Sequence, residues 1–231
     1  MPTILITGAS RGLGLEFSRR FAASDWQVLA TCRAPERADA LQALADRYAG
    51  VGVHKLDVAD FAQMDAVADE LAGRPIDVLL NNAGVCLDSD AKPFGALDYS
   101  AWERTLRINT LAPVRMAERF LPNLQLGERR LLVSLSSLMG SIADNRSGGH
   151  VFYRSSKAAL NAAMRSLSID LRFQRIGVLI LHPGWVRTDM GGGDAPLSPE
   201  DSVAGMQRVM ESFRADRSGA FLDYSGKSLP W

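Results

Sequence analysis

The stretch TILITGASRGLG, residues 3–14, decides the fold of this chain. Its first five residues, TILIT, are apolar or β-branched and predict a short buried strand. Gly8, Gly12 and Gly14 follow at once, and the segment GLGLEFSRRFAAS (12–24) has the composition of a helix. Glycines between a strand and a helix let the backbone approach a phosphate, whose charge then meets the helix amino end. The stretch therefore predicts a dinucleotide-binding turn, with a purely structural turn as the alternative.

Short apolar segments alternate with helical ones along the rest of the chain. After WQVLATC (26–32), the segments that predict strands are VGVHKLD (51–57), IDVLLNN (76–82), RLLVSLSS (130–137), IGVLILHP (176–183) and GAFLDY (219–224). Nearly all-apolar strands separated by helices are typical of a parallel sheet covered on both faces. We expect an α/β fold, a doubly wound (Rossmann) parallel sheet of about seven strands, in one domain spanning residues 1–231. Two small domains would also fit this length.

The composition favours a small-molecule ligand. The 26 basic and 26 acidic residues cancel, which removes the electrostatic case for nucleic acid or an anionic membrane. Cys32 and Cys86 form no close-spaced motif, so we expect buried thiols in a reduced, cytoplasmic environment. The amino-terminal segment does not resemble a signal peptide, and no apolar run approaches the ~20 residues that span a bilayer. The three histidines are far apart in sequence, so we expect no metal site.

The end of the second predicted strand indicates which dinucleotide is bound. An NAD site usually has an acidic residue there, whereas this strand ends in LATCRAP, with Arg33. A guanidinium pairs with a 2′-phosphate, and Arg11 in the glycine turn is a second candidate, so we predict NADP(H). The alternative is that both arginines are solvated surface charges. The third strand ends with Asp57, which could bind the adenine amino group. The predicted cofactor contacts in this half are Gly8, Ser10, Arg11, Gly12, Leu13, Gly14, Arg33, Asp57, Val58, Asn82, Ala83 and Gly84.

A serine, a tyrosine and a lysine converge on the same edge of the predicted sheet. Ser134, Ser136 and Ser137 end the fifth strand, and the next helix contains Tyr153 and Lys157 one turn apart. A phenol is a poor proton donor and acceptor at neutral pH unless a nearby cation stabilises its anion. Together these groups could hold a carbonyl oxygen and protonate it as hydride arrives. The pattern predicts a carbonyl reductase site.

Five ordered motifs resemble those of the short-chain dehydrogenase/reductase family: TGASRGLG, NNAG, SSLMG, YRSSK and PGWVRTDM. The resemblance implies that Tyr153 is the acid/base, that Lys157 lowers its pKa and binds the nicotinamide ribose, and that Asn109 relays protons through water. It selects Ser137, in Ser-x-x-Gly with Gly140, as the substrate-orienting serine, with Ser136 as the main alternative. It also implies that the nicotinamide is bordered by Pro183, Gly184, Val186 and Thr188.

The segment between Ser137 and Tyr153 departs from the family pattern because it is longer, with ADNRSGGHV (143–151) supplying small and polar residues. This segment, HPGWVRTDMGG and the closing FLDYSGKSLPW resemble the sniffer-type carbonyl reductases and the bacterial C-factor proteins. The resemblance, with apolar helix stripes such as Leu106, Leu111, Met116 and Phe120, implies a homo-oligomer, a dimer or a tetramer. The glycine-rich loop 185–198 is either a lid over the nicotinamide or a disordered loop.

Two functions follow from this reading. The first is NADPH-dependent reduction of an aldehyde or ketone to an alcohol, with Tyr153 as proton donor. The second is an NADP(H)-binding signalling or sensor protein of the C-factor type, in which turnover is secondary. Fold alone does not distinguish them.

Overall fold

The protein contains one parallel sheet. In the computed structural model, which describes residues 1–88 and 94–231, seven strands pair in the order β3-β2-β1-β4-β5-β6-β7. The strands are β1 (Thr3–Thr7), β2 (Gln27–Cys32), β3 (Val51–Lys55), β4 (Val78–Asn81), β5 (Leu131–Leu135), β6 (Gly177–His182) and β7 (Ala220–Asp223). All six pairings are parallel. The predicted doubly wound fold is confirmed, and each predicted strand is present within a few residues of its expected bounds.

Helices cover both faces of this sheet. They are α1 (Gly12–Ala23), α2 (Asp39–Arg47), α3 (Phe61–Glu70), α4 (Tyr99–Leu106), α5 (Ala112–Arg119), α6 (Leu121–Leu126), α7 (Val151–Asp170) and α8 (Pro199–Glu211). Side chains of α1, α2 and α8 pack in one core cluster, and those of α3 and α5 to α7 pack in a second cluster on the opposite face. Because β1, β4 and β5 are buried along their whole length, their sequences are almost entirely apolar.

The long helix expected from about residue 99 to residue 124 is divided. A π-helical turn, Arg107–Leu111, lies between α4 and α5, and α6 begins separately at Leu121. Pro113 explains the first break, because it lacks the backbone N–H that a regular α-helix would direct to the carbonyl of Asn109. Asn109 therefore lies in the π-helical turn, where the backbone does not follow regular α-helical geometry.

The apolar stripes that suggested subunit pairing belong mainly to the core of this chain. Met116, Phe120, Leu160 and Met164 are at most 1% exposed and lie in the second core cluster. Leu111 is the exception, at 51% exposed. The homo-oligomer therefore stays a prediction that rests on the resemblance, since packing within one subunit accounts for most of the stripe.

The described part of the chain includes no helix that combines the length and apolarity needed to cross a bilayer. The polar loop expected after the fourth strand falls partly outside the described residues. The strand order reverses between β1 and β4, so the crevice at their carboxyl ends is where a doubly wound sheet binds its ligand.

Candidate active site

A cleft of about 460 Å³ opens at the carboxyl ends of the central strands. Sixteen predicted residues line it: Gly8, Ser10, Arg11, Gly12, Leu13, Gly14, Arg33, Asp57, Val58, Asn82, Ala83, Gly84, Tyr153, Lys157, Pro183 and Thr188. Four predicted residues do not line it. Val186 is buried and pairs with Leu197, and Gly184 packs against Leu197 and Tyr224. Ser137 and Asn109 are buried and do not reach the cleft surface.

The glycine turn is shaped for close approach of a ligand. Gly8 and Gly12 have φ of 70° and 55°, in the left-handed region that favours glycine. A side chain at Gly14 would collide with the Gly8 carbonyl oxygen, so the turn and the helix start are in direct contact. Among the described residues, no side chain caps the amino end of α1 at Arg11. The first amides of α1 are therefore suited to a phosphate, which fits the pyrophosphate of a dinucleotide.

Asn82 holds the glycine turn in place. Its Nδ2 donates hydrogen bonds to the carbonyl oxygens of Thr7, at 2.8 Å, and Gly8, at 3.0 Å. In return, Thr7 Oγ1 accepts from the backbone amides of Asn82 and Ala83, both at 3.1 Å. The sequence predicts Asn82 as a cofactor contact, and the structure adds that its amide fastens the end of β4 to the end of β1.

The adenosine end of the cleft carries the two predicted arginines. Arg11 and Arg33 both line it, but Arg11 Nη1 lies 2.7 Å from Asp189 Oδ2. The two side chains of this pair are 72% and 73% exposed, so the pair contributes little to stability. Asp57 is partly committed as well, because its Oδ1 accepts from the amide of Ala59 at 2.9 Å. The arginines fit a 2′-phosphate, and Asp189 is a competitor for Arg11 that sequence reasoning missed.

Tyr153, near the start of α7, faces Ser137 at the end of β5. Burial raises the pKa of the Tyr153 phenol to about 12, and a hydrogen bond with Ser137 acts in the opposite direction. The neighbouring Ser136 donates instead to Asn161 Oδ1, at 2.6 Å, and is engaged with α7. The hydroxyl that meets the phenol is thus that of Ser137, whereas Ser136 is the serine that lines the cleft. The choice of Ser137 over Ser136 stays a prediction.

Lys157 is 4% exposed, one turn after Tyr153. Its Nζ donates to the carbonyl oxygen of Leu135 at 2.8 Å and lies 5.7 Å from the centre of the Tyr153 ring. Burial lowers the pKa of the Lys157 ammonium to about 8. The sequence predicts that Lys157 lowers the pKa of Tyr153, whereas in this structure burial raises that pKa and the hydrogen bond with Ser137 is what lowers it.

Gly140 fixes the relation between β5 and α7. A methyl group at Gly140 would lie 2.8 Å from Lys157 Cβ, so only glycine lets the turn after Ser137 pack directly on the helix. Ser137 itself accepts from the amide of Met139 at 3.1 Å. The glycine of Ser-x-x-Gly thus contacts Lys157 directly, which places the turn after Ser137 against α7 at the lysine.

The Asn109 side chain connects the loop after β4 to α7. Its Oδ1 accepts from the amide of Val85 at 2.9 Å, and its Nδ2 donates to the Val85 carbonyl, at 2.8 Å, and to Ser156 Oγ, at 3.0 Å. A methyl group at Gly84 would lie 3.3 Å from Asn109 Oδ1 and 3.5 Å from Lys157 Nζ. These contacts indicate that Asn109 positions the Val85 segment and α7 beside Lys157. The proton relay from Asn109 through water stays a prediction.

The loop 185–198 is held by its own hydrogen bonds. Trp185 Nε1 donates to the Gly191 carbonyl at 2.7 Å, and Arg187 Nη1 donates to the Ala195 carbonyl at 3.0 Å. The loop contributes four cleft residues: Thr188, which was predicted as a cofactor contact, with Arg187, Asp189 and Met190. The sequence missed a further five lining residues: Cys32, Leu56, Val85, Ile108 and Leu135. Each of these five residues lies next to a predicted site motif in the sequence, and this position is the only sequence feature that could have identified it.

The fold and the cleft define an oxidoreductase-type dinucleotide site on a doubly wound sheet. The model of the short chain dehydrogenase family matches residues 2–196. This chain belongs to the short-chain dehydrogenase/reductase family, as the five motifs indicate.

Three known proteins are similar to most or all of the chain. The C-signal protein of Myxococcus xanthus is 48% identical over 168 residues, which cover 73% of this chain and 100% of that protein. The carbonyl reductase Sniffer of Drosophila melanogaster is 35% identical, with a TM-score of 0.93 and full coverage of both chains. An NADPH-bound carbonyl reductase from chicken fatty liver is 34% identical, with a TM-score of 0.91 and coverage of 100% of this chain and 99% of that one.

Proposed function

We propose that this protein is an NADP(H)-dependent reductase that converts an aldehyde or ketone to the alcohol. The observation that supports this most directly is the arrangement of Ser137 and Lys157 around Tyr153, with Tyr153 and Lys157 lining the cleft. The likeness to solved carbonyl reductases, one of them bound to NADPH, points to the same chemistry.

In the proposed reaction, NADPH supplies the hydride when it is bound. The Ser137 hydroxyl orients the carbonyl oxygen of the substrate by a hydrogen bond, and the Tyr153 phenol donates its proton to that oxygen. Lys157 places a cation beside the phenol, so it stabilises the anion left after proton transfer. Asn109 keeps the Val85 segment and α7 in register, which holds Lys157 at its position.

The choice of NADP(H) over NAD(H) is supported by the charges at the adenosine end of the cleft. Arg33 and Arg11 are both available to a 2′-phosphate, which a guanidinium binds through paired hydrogen bonds. Asp189 holds Arg11 in this structure, and a doubly charged phosphate would compete with its single carboxylate.

Replacing Tyr153 with phenylalanine tests the mechanism. The Tyr153→Phe variant removes the phenolic proton and little else, so we expect turnover of NADPH with a reactive carbonyl to fall by about 10²-fold or more. NADPH binding, measured by fluorescence titration, should change less than threefold. A variant that turns over at the wild-type rate would exclude Tyr153 as the proton donor.

The likeness to C-signal supports a second candidate, a signalling or sensor protein that binds NADP(H) with turnover secondary. The two functions differ in what the purified protein does with NADPH. A sensor would bind NADPH tightly and oxidise it no faster with carbonyl compounds than without them. The reductase is favoured, because a sensor has no physical need for a serine and a lysine placed around a buried phenol.

A further inference from the structure

Three side chains of the kinds that bind transition metals lie together beside the amino end of α7. They are Cys86, Asp88 and His150, whose ligand atoms all lie within 4.8 Å of one another. Cys86 Sγ is 3.9 Å from Asp88 Oδ2. The sequence predicted no metal site, because the three histidines are far apart and few carboxylates or cysteines accompany them along the chain. The structure instead pairs one histidine with a thiol and a carboxylate.

Asp88 is held in a fixed orientation. Its Oδ1 accepts a hydrogen bond from the amide of Phe152, and its Oδ2 accepts one from the amide of Tyr153, both at 2.9 Å. The carboxylate thereby caps α7 from a distant loop. Oδ1 still has a lone pair for another partner, and the second lone pair of Oδ2 accepts from the Cys86 thiol, a bond that deprotonation of the thiol would release. Hydrogen bonds of this kind from the surroundings orient metal ligands and strengthen binding.

His150 reaches this pair through an unusual backbone conformation. Gly148, Gly149 and His150 have consecutive φ values of 64°, 66° and 47°. The left-handed region is uncommon for a residue with a side chain, and such residues cluster at functional sites. The His150 side chain is exposed, so its ring can rotate toward a metal without disturbing the core.

The donor set fits Zn²⁺. One sulfur, one nitrogen and one oxygen ligand suit this borderline-soft ion, and tetrahedral ligands lie roughly 3.5 Å apart at the usual bond lengths. The 4.8 Å limit therefore requires movements of only about 1 Å. A Cys86 thiolate and the Asp88 carboxylate would neutralise the ion, and the thiol proton would pass to solvent.

Solvent reaches the cluster through a second cavity. Asp88 and His150 line a cavity of about 470 Å³, together with Leu97, Val151 and Phe152. Among the described residues three side chains supply ligands, so the fourth position of a tetrahedral ion would face this cavity. Metal sites with an open position bind exchangeable ligands, in contrast to closed structural sites.

We propose that Cys86, Asp88 and His150 form a Zn²⁺-binding site at the amino end of α7. The ion is exchangeable, because one ligand is an exposed histidine and the part of the chain that the structure describes supplies only three of four ligands.

Zinc binding is tested on the full chain after treatment with a chelator. Calorimetric titration with ZnCl₂ should show one strong site per chain, and Co²⁺ should give a thiolate-to-cobalt charge-transfer absorption. The variants Cys86→Ser and His150→Ala should each bind Zn²⁺ at least tenfold more weakly, and Cys86→Ser should lose that absorption because it removes the thiolate. The matched controls are Cys32→Ala and His54→Ala, which change the same residue types elsewhere and should bind Zn²⁺ as the wild type does.

The proposal is overturned if the wild type binds no Zn²⁺ at micromolar concentration, or if the controls weaken binding as much as the site variants. Thermal unfolding checks that Cys86→Ser is folded, and if it is not, the exposed His150→Ala decides the question alone. Carbonyl reductase activity is measured in a separate assay, with and without added Zn²⁺. Zinc binding without any reductase activity would contradict the proposed function and leave the metal site standing.

Discussion

Burial of the charged Lys157 side chain lowers the free energy of unfolding, whatever the lysine does in a reaction. Lys157 is 4% exposed, and burial lowers its pKa from 10.5 to about 8. Below pH 8 the lysine is charged in both folded and unfolded chains, so the folded state carries the full cost of burying the charge. Between about pH 8 and 10.5 the folded state releases the proton first, and the free energy of unfolding should rise with pH.

This cost predicts a pH-dependent difference between the wild type and Lys157→Met. In the cofactor-free protein, the wild type should gain stability relative to the variant by about 1.4 kcal/mol per pH unit at most, above pH 8. Urea unfolding at pH 7, 8 and 9 measures the difference. Lys55→Met, at an exposed lysine, serves as the control and should run parallel to the wild type. A Lys157→Met curve that also runs parallel would show that the ammonium is not buried as described.

At the scale of elements, the glycine turn and the start of α1 are one tightly packed unit. A Cβ at Gly14 would meet the Gly8 carbonyl and lie 2.6 Å from Asn82 Nδ2, so the Asn82 link between β1 and β4 would have to shift. Strain of this kind in a packed region costs about 1–3 kcal/mol.

Gly14→Ala should therefore lower the free energy of unfolding by about 1–3 kcal/mol and weaken NADPH binding at least tenfold. Chemical denaturation and fluorescence titration measure the two effects. Gly193→Ala is the matched control, because a Cβ there meets no atom within 4 Å among the described residues. Unchanged NADPH binding in Gly14→Ala would mean that the turn does not hold the phosphates.

The elements differ in how far the sequence predicts them. The strands and the glycine turn were predictable because their signals are local: apolar runs, a turn, a helix start. The π-helical turn at Arg107–Leu111 was not, since it arises from Pro113 acting on a helix that otherwise reads as continuous. Contacts between distant residues were also hidden. Arg11 pairs with Asp189, which is 178 positions away in the sequence. Asp88 caps the start of α7, which is more than 60 positions away.

At the scale of the whole molecule, the cleft is built from both halves of the sheet. The β1–β3 half contributes Gly8, Arg33 and Asp57, and the β4–β7 half contributes Tyr153 and Thr188. A ligand in this cleft binds the folded chain only, so it stabilises the entire fold by mass action.

NADPH at a concentration of 100 times its Kd should raise the free energy of unfolding by about 2.7 kcal/mol. NADH at the same concentration should stabilise much less, because it lacks the 2′-phosphate that Arg33 and Arg11 are proposed to bind. Thermal unfolding with each cofactor measures this, and Arg33→Asp should reduce or reverse the difference. Equal stabilisation of the wild type by both cofactors would contradict the assignment of NADP(H).

The exposed segment 142–150 joins two anchored ends. Gly140 packs on Lys157 before it, Ser141 Oγ donates to the Trp231 carbonyl at 3.1 Å, and Asp88 caps α7 after it. In laboratory evolution, this segment can therefore be replaced without displacing its two anchored ends. Libraries that vary the length and composition of residues 142–149 would test whether this segment sets the substrate preference, because the contacts at its two ends leave the reacting groups in place.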